Sequence, residues 1–303
     1  MAIKYLLESH PKIYIMCDGG FANRINSLIG GMHISYILGF YPVICWPVNR
    51  WCSIRFHDAL EAPSNTLVID LETNVLLSSL GSATYMLHDI DMYSFVSQGN
   101  MTCDPNLCSS ISHIPFQKTV YSNDIIPAWV SRQSIITSLN QYSFNKNIIS
   151  RAQKYLKFIG LESDGKIANY VGLHLRGTDF NKTQSDYQCF CRNIESRPTS
   201  TFYVCSDEQS LEKFFSKYPN VITRPKASYT QKYLPNLEWR SQTLDPLTGK
   251  PLTFNVSRDR ESVIEAIVDL ALLSTDNELI HSSDSSFLRL AWTLKSCSLS
   301  LRV

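Results

Sequence analysis

The chain has 303 residues, with 28 Lys and Arg against 27 Asp and Glu and a formal net charge of +1, so no overall field exists to hold a nucleic acid or an acidic membrane surface. Twelve Gly and 13 Pro, with 44% hydrophobic and 11% aromatic residues, exclude low-complexity and collagen-like chains and leave a packed protein of one large or two modest domains. No run approaches the ~18 apolar residues of a membrane span, and Glu8, His10 and Pro11 interrupt the apolar N-terminal stretch before it reaches the length of a secretory core.

In chain order, Ile13–Met16 reads as a strand, Asp18-Gly19-Gly20 as a turn, and the segment from about Asn23 as a helix. That helix carries Ile25, Leu28, Ile29, Met32, Tyr36 and Ile37 at core-facing spacing. Tyr41–Trp46 and Thr66–Leu71 supply two more strands, so the chain opens with a βαβ unit. From about Gly99 to Pro127 the pattern weakens, and helical spacing returns with Ile148, Ile149, Ala152, Tyr155, Leu156 and Ile159. The junction falls there, giving domains 1–145 and 146–303.

The second block predicts strands at Tyr170–Leu175, Thr201–Cys205, Val221–Ile222 and Glu278–His281, with helices over Leu211–Phe215, around Val263–Leu273, and from about Ser285. The polar segment Ala227–Arg258 reads as a long loop or small insertion, a candidate for acceptor-side contacts or donor closure. Two consecutive open α/β units are the economical architecture.

The nine Cys include Cys17, Cys45, Cys205 and Cys297 in apolar contexts, where reduced thiols pack as small hydrophobes. That usage, without a leader, predicts a cytoplasmic protein. Cys103/Cys108 and Cys189/Cys191 lack the C-x-x-C spacing and matching His pair of a zinc site. Sequons at Asn100, Asn181 and Asn255 matter only in a secretory setting.

Four places bear chemistry. The turn Asp18-Gly19-Gly20-Phe21-Ala22-Asn23-Arg24 joins a strand end to a helix start, where free N–H groups face an anion or a sugar hydroxyl, or where Asn23 simply caps the helix. In Val171-Gly172-Leu173-His174-Leu175-Arg176-Gly177-Thr178-Asp179, a buried strand delivers an imidazole and a guanidinium to one face. Arg176 there either pairs with Asp179 or bridges pyrophosphate oxygens with its planar fork. Val204-Cys205-Ser206-Asp207-Glu208 ends another strand with a hydroxyl and carboxylates, readable as a helix cap or as acceptors for a nucleoside. Finally, Ser285, Ser286 and Phe287 open the last helix as a cap or an anion nest.

Competing with these, Asp89-Ile90-Asp91 has the D-x-D spacing that holds Mn²⁺ and a sugar diphosphate in one glycosyltransferase class. G-x-G-x-x-G, the Walker A loop, G-x-S-x-G and H-E-x-x-H are absent, which counts against dinucleotide enzymes, P-loop NTPases, α/β-hydrolases and zincins.

In this order the four sites resemble the superfamily of α1,2-, α1,6- and protein O-fucosyltransferases, which includes the nodulation-type enzymes. Gly-Gly-Phe-Ala-Asn-Arg looks like its first-domain loop, His174-x-Arg176 like its H-x-R motif, Cys205–Glu208 like its second motif and Ser285–Phe287 like its third. Phe180 stands where the protein O-fucosyltransferases have Trp, and the Arg176–Asp179 spacing is that of the α1,6 and nodulation types.

The resemblance implies a GT-B fold, two Rossmann-like domains facing across a cleft, and inverting transfer of fucose from GDP-fucose to a glycan or glycoconjugate hydroxyl, with no divalent metal and no cofactor beyond the donor. It implies that Arg176 grips the diphosphate, His174 places the nucleotide, and Ser285, Ser286 and Phe287 hold the phosphates and flank the base. Asp207 would lie near the nucleoside and Asn23 would reach the fucose, with Arg24, Asp179 and Ser206 in the same donor-binding motifs. Asp18, bordering the first-domain loop, is the candidate general base. The alternatives are a metal-dependent transferase built on Asp89 and Asp91, and a non-catalytic nucleotide- or glycan-binding protein of the same fold.

Overall fold

A computed structural model describes residues 12–64, 66–70, 84–87, 118–121, 126, 130–163, 166–178, 184–246, 249, 251–276, 278–281 and 285–297. The chain divides into two compact units, one comprising Met1–Asn49 with Arg55–Ser143 and the other Arg50–Ile54 with Phe144–Val303.

The first unit contains β1 (Lys12–Met16), α1 (Phe21–Leu38), β2 (Tyr41–Cys45), β3 (Leu67–Ile69), β4 (Thr84–Leu87), β5 (Lys118–Tyr121) and α2 (Arg132–Leu139). The sheet runs β3-β2-β1-β5-β4 with every pairing parallel. For strands β4 and β5 the sequence pattern predicts no element, and β5 lies inside the weakened Gly99–Pro127 stretch. Helix α1 begins earlier than expected, at Phe21, with Gly20 as its cap and no side-chain capping bond, so Asn23 is not the cap. The expected stripe does not hold to the end of the helix: Met32 and Tyr36 share the helical face of Ile25, Leu28 and Ile29 at 3.6 residues per turn, yet Tyr36 stands 87% exposed, and the last turns bury Ile34, Ser35 and Leu38 on the other side.

The second unit contains α3 (Lys146–Phe158), β6 (Val171–Leu175), α4 (Gln184–Glu195), β7 (Phe202–Ser206), α5 (Gln209–Phe215), β8 (Val221–Thr223), α6 (Arg260–Leu273), β9 (Glu278–His281) and α7 (Ser286–Leu294). Its sheet, β8-β7-β6-β9, is wholly parallel, the order of a doubly wound nucleotide-binding half. Every residue of β6 and β7 is buried, which requires cover on both sheet faces and explains their nearly continuous apolar sequences. On one face Val171, Leu173, Leu175, Phe202 and Val204 pack with Phe190 and Ile194 of α4 and Phe215 of α5. On the other, Tyr203 reaches α6 and donates to Asp269 at 2.7 Å.

The described residues of 227–258 form no helix or strand, yet they are not a loose insertion. Isolated bridges pair Gln231 with Ser257, Arg240 with Phe254 and Leu244 with Pro251, while Leu252 and Val256 are fully buried. Asn255, also fully buried, accepts from the Leu234 N–H at 2.7 Å and donates to the Leu234 and Glu238 carbonyls at 2.8 and 3.0 Å. Its sequon is therefore inaccessible to a glycan. The same loop holds the Arg50–Ile54 segment: Arg258 N–H donates to Arg50 O at 2.8 Å, and the Arg50 guanidinium lies 4.3 Å from the Trp51 ring and 4.6 Å from that of Tyr233.

Candidate donor-binding site

Parallel register brings the sequence motifs of the second unit to one edge. Leu175 pairs with Ser206, and His174 with both Cys205 and His281, so the residues that follow β6 and β7, Arg176 and Asp207, leave the sheet side by side. The start of α7 follows β9 at the same edge. Carboxyl ends of parallel strands are where open α/β sheets bind ligands.

His174 is buried, 7% exposed, and stacks on Phe287 with ring centroids 4.6 Å apart and planes 27° apart. The H-x-R motif and the start of the last helix, over a hundred residues apart, thus meet in a ring-on-ring contact. Arg176 follows on the same face by strand alternation and is half-buried. Ser286 and Phe287 are half-buried in the first turn of α7.

Asp207 fixes the turn after Arg176. Its two carboxylate oxygens accept from the Gly177 N–H and from the Thr178 hydroxyl, each at 2.5 Å. Burial alone would raise this carboxyl, but the Thr178 and Gly177 hydrogen bonds, with the nearby charges of Arg258 and His174, leave it below the ordinary Asp range. The crossing is tight: a Cβ at Gly177 would lie 2.5 Å from Glu208 Cβ, so only glycine brings this backbone against β7's end.

Two donor-motif serines serve the protein's own backbone. Ser206, 3% exposed, accepts the Glu208 N–H at 3.1 Å. Ser285, 4% exposed, caps α7 by accepting the Leu288 N–H at 3.2 Å. The cap of α5 is Glu208, without a side-chain bond, so neither Ser206 nor Asp207 caps that helix. Asp179 lies outside the described residues, as do Asp89, Asp91, Cys103, Cys108, Asn100 and Asn181.

In the first unit Gly19 takes φ +82°, a left-handed conformation that glycine adopts without strain. Asp18 Oδ1 accepts from the Gly19 N–H at 2.7 Å and from Asn49 at 2.8 Å, and the Asp18 side chain remains 45% exposed. Asn23 is half-buried in the first turn of α1. Arg24 corrects the expectation of a donor contact. It is fully buried, donates to Gly19 O at 2.8 Å, to Pro47 O at 2.5 Å and to Asn49 Oδ1 at 3.0 Å, and lies 5.1 Å from the Trp46 ring. A buried guanidinium must be matched by acceptors, and these hold the 18–24 turn rather than a ligand.

Among the described residues, no group of three or more His, Cys, Asp or Glu side chains is placed to hold a metal ion, and no helix is long and apolar enough to cross a membrane. Cys17, Cys45, Cys52, Cys205 and Cys297 are buried. Cys189 and Cys191 carry free thiols, because two positions apart on α4 they point to different sides of the helix. Sequence reading missed the partners of Asp207. Thr178 stood in the quoted motif, but only the β6–β7 register shows that Asp207 meets it.

No family model and no curated protein sequence matches this chain. Solved structures do. NodZ α1,6-fucosyltransferase in crystals soaked with GDP-fucose superposes with a TM-score of 0.58 at 15% identity, over 94% of this chain and 93% of that one. Fucosyltransferase NodZ from Bradyrhizobium gives 0.58 at 14% identity, over 93% of each chain. POFUT1 in complex with GDP-fucose gives 0.52 at 9% identity, over 96% of this chain and 95% of that one. The chain therefore has the mixed α/β, parallel-sheet fold of the NodZ and POFUT1 fucosyltransferases.

Proposed function

We propose that this protein is a fucosyltransferase of GT-B type that moves L-fucose from GDP-fucose to a hydroxyl of a glycan or glycoconjugate, with inversion at the anomeric carbon and without a divalent metal. The observation that carries the reading is the convergence of His174, Arg176, Asp207 and Phe287 at the carboxyl edge of one parallel sheet. That edge offers what a nucleoside diphosphate needs: an aromatic surface, a guanidinium, and the N-terminus of an α-helix.

In the reaction the acceptor oxygen bonds to the anomeric carbon on the face opposite GDP. The bond from that carbon to the β-phosphate oxygen breaks, and its electrons pass to the phosphate. Arg176 and the N–H groups opening α7 stabilise that growing charge, already oriented before it appears. His174 and Phe287 place the nucleotide, and Asp207 holds Gly177 and Thr178 so that Arg176 keeps its aim. Asn23 is assigned to the fucose, and the partly exposed Asp18 to the proton leaving the acceptor hydroxyl.

The test is GDP release from GDP-fucose over a panel of glycan acceptors in EDTA, with Arg176→Ala alongside. Turnover in EDTA that the variant loses supports the metal-free reading. Turnover that requires Mn²⁺ and disappears in Asp91→Ala would move the chemistry to the D-x-D pair. Donor binding without turnover on any acceptor would make the chain a binding protein.

A further inference from the structure

Behind the donor edge lies a buried ionic cluster that the reaction above does not use. The Lys226 ammonium, 3% exposed as a side chain, donates to Ser206 O at 2.6 Å, Glu212 Oε1 at 2.5 Å and Asp269 Oδ2 at 2.6 Å. All three of its protons are thereby matched. Glu212 Oε1 also accepts the Ser206 N–H at 2.7 Å, and its other oxygen accepts the Tyr229 hydroxyl at 2.6 Å. Asp269 further accepts from Tyr203 at 2.7 Å and from Arg224 Nη2 at 2.8 Å. Arg224 continues to Glu265, which also accepts from Arg151 at 2.5 Å.

The cluster's place in the sheet is informative. Strand β8 ends at Thr223, opposite Val204, so Ser206 lies beyond the end of the ladder on that side. Its N–H and C=O are taken instead by Glu212 and Lys226, two oppositely charged side chains standing in for a missing length of strand. The next residue is Asp207, which grips Gly177 and Thr178 immediately after Arg176. Hydrogen bonds joined through the Ser206–Asp207 peptide therefore lead from the buried charges to the backbone beside the guanidinium.

We infer that Lys226 and Glu212 are positioning residues for the donor site, acting through the Ser206 peptide and Asp207 to fix the turn that aims Arg176. The inference rests on the proposed donor reading for its functional consequence, but its structural step stands apart from any ligand. A hydrocarbon pair of similar volume can replace a buried ion pair with little loss of global stability, yet it can neither accept the Ser206 N–H nor donate to its carbonyl. Positioning and general stability are thus separable.

The experiment compares the wild-type chain, the Glu212→Leu/Lys226→Met double variant and the conservative Glu212→Gln. It reads amide exchange at Gly177, the melting temperature, and GDP affinity by calorimetry. The expected result is a double variant that melts near the wild type, exchanges the Gly177 amide at least about tenfold faster relative to Leu173, and binds GDP about tenfold to a hundredfold more weakly, the scale of one charge-assisted hydrogen bond. Glu212→Gln, which keeps an acceptor oxygen, is expected to stay near wild-type protection. Unchanged Gly177 exchange in a folded double variant overturns the inference, and so does a double variant that is merely unstable while Arg224→Met, which leaves Ser206 untouched, loosens Gly177 equally. If the wild type itself fails to bind GDP, the donor reading falls, while Gly177 exchange still decides the positioning role.

Discussion

Arg24, in the opening turn of α1, and Arg176, directly after β6, both follow a central strand of their unit, and burial separates their roles. Arg24 is enclosed with its donors spent on Gly19, Pro47 and Asn49; Arg176 stands half-buried at the carboxyl edge of its sheet. We expect Arg176→Ala to reduce turnover by ~10²–10³, the usual effect of removing one preorganised charge-stabilising donor, while the melting temperature stays within a few degrees of wild type. Arg24→Met should do the reverse at first order, costing about 3 kcal/mol or more in urea unfolding because buried carbonyls lose their partner. Gly177→Ala, which forces a methyl against Glu208, should weaken GDP binding by about tenfold or more by displacing the turn that Asp207 holds. The sequence shows both arginines shortly after a strand and close to glycine. What it lacks is the count of acceptors each finds, because Pro47 and Asn49 come from a different stretch of chain.

At the scale of elements, periodicity located the strands and helices that carry the motifs: β6, β7, β9 and the starts of α1 and α7 fall within a few residues of expectation. It failed where a strand is short and bordered by polar residues, as at Lys118–Tyr121, which lies against β1 in the sheet. It also passed over α4, although Tyr187, Phe190, Cys191 and Ile194 recur at helical spacing and two of them enter the core. The turn between α6 and β9 supports a further prediction. Asp276 is 4% exposed and receives Lys295 Nζ at 2.5 Å; burial outweighs that partner and raises its carboxyl to about 7. The folded chain then keeps a proton that the unfolded chain releases near pH 4, so this group's contribution to stability falls as pH rises from about 4 to about 7. Asp276→Asn should flatten that part of the denaturation profile. A variant whose stability retains the wild-type slope between those limits would contradict the assignment.

For the whole molecule, each unit carries its own wholly parallel sheet, and the 303 residues follow NodZ and POFUT1 over nearly their full length at identities of 15% and 9%. Sequence divergence of that size leaves the architecture intact, since a parallel sheet asks mainly for buried apolar strands and helices of matching period. The strands that carry the motifs were legible because their buried apolar runs end abruptly in polar turns at one sheet edge. Arg50–Ile54 belongs to the second unit, held by a backbone bond from Arg258 in the 227–258 loop that leaves no pattern in the sequence.

The donor site we propose is metal-free, takes guanosine diphosphate and is built on Arg176. The most direct measurement is calorimetric titration with GDP-fucose in EDTA, with UDP-galactose as control and Arg176→Ala in parallel. The expected result is micromolar binding of the guanine donor alone, lost in the variant. Binding that is absent in EDTA and restored by Mn²⁺, or that survives in Arg176→Ala, would contradict it.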